Sequence, residues 1–235
     1  MTKIIPAILP DSYRGIELNV TKVHNAVDTI QIDFVDGNVA PHRTWLFNNK
    51  EQEKLSAILS EEEGMPFWDS MNYEFDLMVK DPLEQIDTFV ALGPSKIIFH
   101  IEQMEEEKMK AYFESLPEIV RQTVKFGIAL NIDTDPQLLI PYTPYIETIQ
   151  CMGIDHIGAQ GQPYDQKVLG QIEKVRALFP DKEISVDGGV TLENATELVL
   201  RGATTLVVGS AIFQSIDPQG TIKKLKEVCK QATTQ

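Results

Sequence analysis

Short apolar runs rich in β-branched residues alternate along the whole chain with longer stretches of helical periodicity. The runs predicted to be strands are Lys3–Leu9, Thr29–Phe34, Tyr73–Met78, Lys96–His100, Lys125–Asn131, Thr148–Met152, Ile184–Val186 and Thr205–Val208. A predicted helical stretch follows each of them, including one that starts at Asp81-Pro82 and one over Leu192–Leu200, so that eight strands alternate with eight helices. This pattern is typical of right-handed βαβ units that share one parallel sheet. The predicted fold class is therefore α/β.

A closed barrel fits the pattern better than an open sheet. The chain has 235 residues, close to the ~250 that are typical of a (β/α)8 TIM barrel, and we predict one such domain over residues 1–235. An open doubly wound sheet normally has a glycine-rich turn after its first strand, where this chain has Pro10-Asp11-Ser12. No G-x-G-x-x-G or G-x-x-x-x-G-K-[ST] motif occurs, which disfavours dinucleotide and P-loop sites.

The overall charge limits the partners that the chain can bind. With a net charge of −14 and a pI near 4.7, it would be repelled by nucleic acid and by anionic membranes, and we expect neither as a partner. A small anionic substrate is compatible with this charge, because backbone amides supply a local positive field. The N-terminal apolar stretch is too short for a signal peptide and no window is long enough to cross a membrane, so we expect a cytoplasmic location.

The segment Glu183–Phe213 reads as strand, helix and strand, and both strands end in small residues. They end at Asp187-Gly188-Gly189 and at Gly209-Ser210-Ala211. One glycine turn after a strand is ordinary turn chemistry. The loops after the seventh and eighth strands of a barrel, however, commonly bind phosphate together with the start of a short extra helix. We therefore predict an anion cradle with Asp187 beside it, formed by Gly188, Gly189, Gly209 and Ser210.

The catalytic groups of a barrel lie at the C-terminal ends of its strands, which selects a small set of polar residues. Period-two alternation places Gln31 and Asp33 on one face of the second strand, between apolar neighbours. A polar pair on a buried strand must face groups that satisfy it, and the barrel mouth is the natural place. Asp36 with Gly37 reads more simply as a turn. Further candidates for lining the mouth are His100, Asn131, Met152 and His156.

Asp33 and Asp187 are predicted to lie on opposite sides of the mouth. Two carboxylates so placed suit a proton that is taken from one face of a flat intermediate and returned to the other. Such weak bases need the enediolate to be stabilised by hydrogen-bond donors or by a metal. The competing interpretation is structural, with Asp33 capping a loop and Asp187 binding the following glycine amides. No lysine occupies the inward C-terminal end of a strand, which disfavours a Schiff-base aldolase.

Seven segments together resemble the ribulose-phosphate 3-epimerase family, in the same order and over nearly the whole chain. They are PAIL, QIDFVDGNVAP, FDLMVKDP, FHIE, GIALN, VDGGV and VVGSAIF. The resemblance implies a barrel of the ribulose-phosphate-binding type that interconverts D-ribulose 5-phosphate and D-xylulose 5-phosphate over a divalent metal. It implies Asp33 and Asp187 as acid and base. It also adds Gly158 and Gly161 to the phosphate site, although H-I-G-A-Q-G-Q replaces the family's G-F-G-G-Q there.

The chain departs from the family pattern at the expected metal ligands. Gln31 and Asp76 stand where the family has histidine, so only Asp33 and Asp187 remain of the four expected ligands. The oxygen set of Gln31, Asp33, Asp76 and Asp187 would suit Mg²⁺ or Mn²⁺ better than zinc. Three converging carboxylates repel one another when no metal is bound, so either a cation binds or a proton is shared and no metal is needed.

These residues leave three functions open. The first is a divergent epimerase for a ketose phosphate, an isomerase of the pentose phosphate pathway type. The second is a related phosphosugar isomerase or lyase, although the D-x-K-x-x-D signature of such relatives is absent, with Met78 at the lysine position. The third is a sugar-phosphate-binding barrel that has lost catalysis. Retention of both aspartates favours an enzyme. The expected partner is a small sugar phosphate, and the family's tendency to assemble implies a homo-oligomer.

Overall fold

Eight parallel strands close into a barrel, in the order of the chain. The computed structural model describes residues 2–159 and 161–233. The strands are β1 (Lys3–Ile8), β2 (Thr29–Val35), β3 (Asn72–Met78), β4 (Lys96–His100), β5 (Lys125–Leu130), β6 (Thr148–Met152), β7 (Glu183–Asp187) and β8 (Thr205–Val208). β1 closes the sheet because Ala7 pairs with Gln31 of β2 and Lys3 pairs with Thr205 of β8. The predicted (β/α)8 barrel is confirmed.

Helices follow the strands and cover the outside of the barrel. Within the described residues they are α1 (Tyr13–Val23), α2 (Gln52–Leu59), α3 (Ile86–Ala91), α4 (Glu106–Ser115), α5 (Glu118–Thr123), α6 (Lys167–Leu178), α7 (Ala195–Leu200), α8 (Ser210–Phe213) and α9 (Pro218–Ala232). Three 3₁₀ turns lie at Pro82–Gln85, Ile101–Gln103 and Pro136–Tyr142. Over the same part of the chain, no helix has both the length and the apolar character needed to span a membrane.

Three connections differ from the sequence expectation. The segment after β4 contains a second helix, α5, which begins directly after Pro117, a residue that is favourable at helix starts. The helix predicted from Asp81-Pro82 begins as a 3₁₀ turn and becomes α-helical at Ile86. The helix predicted from Leu192 begins only at Ala195, because the Asn194 side chain accepts the Thr191 N–H at 2.8 Å and forms a turn.

Strand β2 shows how the sequence builds the two faces of the barrel wall. Ile32 and Phe34 are fully buried beneath the helices, and the Phe34 ring lies 5.1 Å from that of Phe89 on α3. Burying one such side chain stabilises the fold by about 1.5–3 kcal/mol. The alternate residues, Gln31 and Asp33, face the barrel interior, as the period-two pattern predicted. On β2, Gln31 and Asp33 therefore give the inward face a polar centre, and the outward face contributes to the main apolar core.

The N-terminal end of the interior holds a set of paired charges, the basal cluster, formed by Lys3, Glu74, Lys96 and Glu183. Lys96 Nζ lies 3.0 Å from Glu74 Oε1 and 2.7 Å from Glu183 Oε1. Lys3 Nζ contacts the other Glu183 oxygen at 3.1 Å. Buried charges are tolerated when they are paired in this way. The basal cluster thus closes the bottom of the barrel, at the end opposite to the site described next.

Candidate active site

Polar side chains from five strands converge inside the C-terminal mouth of the barrel. Each is at least nine-tenths buried, although the mouth itself is the open end of the interior. The residues are Gln31 and Asp33 of β2, Asp76 of β3, His100 of β4, Gln150 of β6 and Asp187 of β7. Parallel strands bring their C-terminal ends to the same end of the barrel, so residues far apart in the chain meet here.

These side chains form one continuous series of hydrogen bonds. Gln31 Nε2 donates to Asp33 Oδ1 at 2.8 Å and to Asp187 Oδ2 at 2.9 Å. Gln150 Nε2 donates to Asp76 Oδ2 at 2.9 Å and reaches Asp187 Oδ2 at 3.4 Å. The series ends at His100, whose Nε2 lies 2.8 Å from Asp76 Oδ1. Each carboxylate therefore has an N–H group beside it, and one amide links Asp33 to Asp187.

The three carboxylates of the site are close enough to hold a single metal ion. One oxygen each of Asp33, Asp76 and Asp187 lies within 4.8 Å of the others. Gln31 Oε1 is buried without a hydrogen-bond partner among the described residues, so it is an orphaned oxygen next to this group. Carboxylate and amide oxygens are ligands of hard cations. The residues present therefore fit a divalent cation, as the sequence predicted.

Burial and repulsion from neighbouring carboxylates make Asp33 and Asp187 weak acids. Burial, together with the Asp187 and Asp76 carboxylates, raises the pKa of Asp33 well above its usual range. Burial and the Asp76 carboxylate raise the pKa of Asp187 to about 7. Burial alone would lower the pKa of His100, but the adjacent Asp76 carboxylate raises it above its usual value. The site can therefore hold and release protons near neutral pH.

A cavity lined by glycine turns adjoins the carboxylates. Both aspartates that were predicted to act as acid and base reach it. All six residues predicted to bind phosphate also line it, namely Gly158, Gly161, Gly188, Gly189, Gly209 and Ser210. No lysine or arginine is among its described lining residues. An anion in the cavity would therefore depend on uncharged donors, namely backbone N–H groups, the Ser210 hydroxyl and the Gln162 amide.

The turn after β7 requires glycine at both positions. Gly188 and Gly189 have φ values of 96° and 67°, in the left-handed region. A Cβ on Gly189 would lie 2.8 Å from the Tyr164 Cα, and one on Gly188 would lie 2.7 Å from an Ile154 side-chain carbon. The β7 turn therefore packs directly against the loop that follows β6. This loop contains Gln160, part of the predicted glycine segment, which lies outside the described residues.

The remaining predicted residues take different positions. Met152 lines the cavity, whereas His100 lies deeper and pairs with Asp76. Asn131 is not among the described lining residues, and its backbone oxygen accepts a hydrogen bond from Gln171 at 2.7 Å. His156 is 83% exposed beside Asp155. Of these residues, Met152 therefore lines the cavity wall, and His100 lies beneath it.

Asp36 forms a turn, as the sequence interpretation favoured. Its carboxylate accepts the backbone N–H of Asn38 at 2.8 Å and that of Lys80 at 2.9 Å. These bonds hold the pKa of Asp36 below its usual value against the opposing effect of burial. Asp36 therefore ties the loop after β2 to the end of β3.

Gln150 is the residue of this site that the sequence interpretation missed. It is fully buried at the centre of β6. The signal was present, because period-two alternation on β6 places Thr148, Gln150 and Met152 on one face and Ile149 and Cys151 on the other. A polar residue facing inward on a buried strand marks a contact with other inward groups.

The fold and the site define the protein as a (β/α)8 barrel with a buried carboxylate group next to a glycine-lined cavity at its mouth. Comparison with known sequences is more specific. The model of the Ribulose-phosphate 3 epimerase family matches residues 3–213, and the chain belongs to that family. The family's members carry the name of an isomerase, as the sequence predicted.

Individual relatives match over nearly their full length. The ribulose-phosphate 3-epimerase of Eremothecium gossypii is 25% identical over 227 residues, covering 95% of this chain and 91% of that protein. The Bacillus subtilis enzyme of the same name is 26% identical over 232 residues, with 96% and 99% covered. Among solved structures, KGPDC from Streptococcus mutans superposes with a TM-score of 0.69 at 15% identity, covering 99% of both chains. This last similarity concerns the fold alone.

Proposed function

We propose that the protein epimerises D-ribulose 5-phosphate, or a closely related ketose phosphate, at the carbon next to the carbonyl. The observation that carries the proposal is the pairing of Asp33 and Asp187, which come from strands separated by β1 and β8 and share one amide donor, Gln31 Nε2. Both also line the glycine cavity. Family membership and the names of the relatives support the same reaction.

The two aspartates exchange a proton with opposite faces of the substrate. An ionised carboxylate on one side takes the proton next to the carbonyl, and a protonated carboxyl on the other returns a proton to the opposite face of the planar enediolate. A pKa of about 7 for Asp187 keeps both of its forms populated near neutral pH. The N–H groups of Gln31 and Gln150 hold these carboxyl groups in place without adding a competing base.

The glycine cavity binds the phosphate of the substrate. Backbone N–H groups in turns of this kind provide a positive field for an anion. With the phosphate fixed there, the sugar chain extends toward Asp33 and Asp187, which line the same cavity. A lyase that uses a lysine at the end of β3 is disfavoured, because Met78 occupies that position and itself lines the cavity.

A divalent cation would be held by Asp33, Asp76 and Asp187 with the Gln31 oxygen, and this oxygen-only set supports Mg²⁺ or Mn²⁺ over zinc. When bound, the cation supplies positive charge that stabilises the enediolate. The protein's own contribution is to hold three carboxylates within 4.8 Å of one another. His100 supplies the other nearby positive charge when it is protonated, through its contact with Asp76.

The test is hydrogen exchange with solvent, measured by NMR in D₂O on ribulose 5-phosphate. Protein stripped of metal with a chelator is compared with the same protein given Mg²⁺, Mn²⁺, Zn²⁺ or Fe²⁺. We expect exchange at C3 together with formation of xylulose 5-phosphate, and strongest activity with Mg²⁺ or Mn²⁺. Full activity after stripping would remove the cation from the proposal. Binding of ribulose 5-phosphate without any exchange would contradict the epimerase and favour a binding protein.

A further inference from the structure

Gln150 links two aspartates of the site to the neighbouring strand β7. Its Nε2 donates to Asp76 at 2.9 Å and reaches Asp187 at 3.4 Å. Its Oε1 accepts from the Ser185 hydroxyl at 3.4 Å, which fixes the orientation of the amide. Strand β6 lies next to β7, with Gln150 paired to Ser185 and Met152 paired to Asp187. The amide is therefore anchored on the strand that carries Asp187.

The two glutamines of the site differ in which aspartates they contact. Gln31 donates to both Asp33 and Asp187. Gln150 contacts Asp187 and Asp76, and none of its hydrogen bonds among the described residues goes to Asp33. Gln31 thus acts on both halves of the proposed proton transfer. Of the two proton-transferring aspartates, Gln150 contacts Asp187 alone; its other carboxylate contact, Asp76, is not one of the two.

We propose that Gln150 is a positioning residue for Asp187 in the epimerisation, an inference that rests on the proposed function. Its N–H groups hold the Asp187 and Asp76 carboxylates apart and orient Asp187 toward the cavity. Without this donor, Asp187 keeps the hydrogen bond from Gln31 at 2.9 Å but loses the contact that restricts it on the β6 side. A resulting displacement of about 1 Å costs roughly 100-fold in rate. Gln150 itself does not line the cavity, so it acts only through the groups that it contacts.

A two-base epimerase has an asymmetry that reveals this role. Each aspartate removes the C3 proton of only one epimer, because the two epimers present that proton to opposite faces. A defect confined to Asp187 therefore stops net conversion in both directions but leaves one epimer able to exchange its C3 proton through Asp33. A general loss of structure would lower exchange from both epimers alike. The ratio of the two exchange rates thus separates positioning from folding.

The experiment measures deuterium incorporation into unconverted ribulose 5-phosphate and, separately, into unconverted xylulose 5-phosphate. Asp187→Asn first identifies the epimer that depends on Asp187. We then expect Gln150→Leu to slow exchange of that epimer about 100-fold and to leave the other within about threefold. Ser185→Ala, which keeps every donor to the carboxylates and frees only the Gln150 amide, should shift the ratio the same way by a smaller factor. Gln31→Leu should slow exchange of both epimers.

Gln171→Leu is the matched control. Gln171 is a buried glutamine of α6 that bonds backbone carbonyl groups, including that of Asn131 at 2.7 Å, outside the site. We expect this variant to lose stability while keeping the wild-type ratio of the two exchange rates. Equal slowing of both epimers by Gln150→Leu and Ser185→Ala, or no slowing, would overturn the role of Gln150 and leave the epimerase intact. If the wild-type protein exchanged the C3 proton of neither epimer, the proposed function would be overturned, and the inference with it.

Discussion

The barrel buries charged side chains at both ends of its interior, and the two ends compensate them differently. In the basal cluster, the two glutamates are matched by Lys96 and Lys3. At the mouth, three aspartates face amide donors and one histidine. Burial of carboxylates costs free energy at both ends. The basal cluster offsets that cost with two lysine cations, whereas the mouth has only His100, and only when it is protonated.

The same difference is visible in the acidity of the carboxyl groups. Burial would raise the pKa of Glu183, but Lys96 and Lys3 lower it to about 2. Burial raises the pKa of Asp187 to about 7, with Asp76 adding to the effect. Burial still raises the pKa of Glu74 in spite of Lys96, so compensation is strongest at Glu183. A compensated cluster holds a structure together, whereas an uncompensated one is suited to bind a cation or move a proton.

The largest expected effect is loss of activity at the mouth without loss of stability. Asp33→Asn and Asp187→Asn should each lower the rate of epimerisation by about 100- to 10,000-fold, the range for removing a general acid or base. Each also removes one of three repelling carboxylates, so we expect the melting temperature to stay equal or to rise. Epimerisation by NMR and thermal unfolding by circular dichroism check the two parts. A lower melting temperature in both variants would mean that the carboxylates of the mouth stabilise the fold, as the paired charges of the basal cluster do.

The reverse result, a loss of stability without a loss of substrate binding, is expected in the basal cluster. Lys96→Met leaves Glu74 and Glu183 without their shared cation, and removing one partner of a buried pair costs about 3–5 kcal/mol. We expect this loss in the free energy of urea-induced unfolding, with the substrate KM of the folded protein unchanged. A change in KM without loss of stability would place Lys96 in the site.

The two clusters should also act on stability over different pH ranges. The folded state binds more protons than the unfolded one between about pH 4 and 7, because the pKa of Asp187 is raised to about 7. Stability of the metal-stripped protein should therefore fall as pH rises through this window, by about 1.4 kcal/mol per pH unit for each extra proton bound. Glu183 acts oppositely, since its lowered pKa gives stability that is lost as pH falls from about 4 to 2.

Asp187→Asn provides the test of this pH dependence. Urea unfolding of wild type and variant in chelator between pH 4.5 and 7.5 gives the difference in slope, and we expect the variant to be flatter. Parallel curves would show that Asp187 titrates normally in the folded protein. Addition of Mg²⁺ or Mn²⁺ should flatten the wild-type curve as well, because a bound cation favours the ionised carboxylates.

Sequence patterns predicted the barrel well because its periodicity is local. Strand ends came within a few residues, since each apolar run is bounded by its own turn residues, and Asp33 and the β7 glycines were found from alternation and turn chemistry. The pairings across the barrel could not be predicted in this way. Gln150 and Asp76 are 74 positions apart, and Gln31 and Asp187 are 156 positions apart. Only closure of the barrel brings such partners together. Lys96 was likewise noted only as the start of a strand.

Two glycines, Gly189 at the rim of the mouth and Gly93 before the start of β4, separate the effect of backbone strain from that of ligand binding. Gly189 and Gly93 have similar φ values of 67° and 73°, but Gly93 lies outside the cavity and a Cβ there would meet no described atom within 4 Å. Alanine at either position should cost about 1–2 kcal/mol of stability from left-handed strain. At Gly189 the loss should be larger, because the added Cβ would also lie 2.8 Å from the Tyr164 Cα. Only Gly189→Ala should also weaken competitive inhibition by inorganic phosphate, by about tenfold. Equal inhibition in both variants would remove the β7 turn from the phosphate site.

The smallest effect is expected from Lys3, which contacts the same glutamate as Lys96. The Lys3 side chain is 64% exposed, whereas that of Lys96 is 5% exposed. An exposed ion pair contributes about 0–1 kcal/mol, because water already solvates its charges. Lys3→Met should therefore change the free energy of unfolding far less than Lys96→Met. Both lysines bind Glu183, but Lys96 is buried and also binds Glu74, so the difference between the two variants measures what burial and the second contact add together. Equal losses would show that neither burial nor the second contact strengthens the pairing of Lys96.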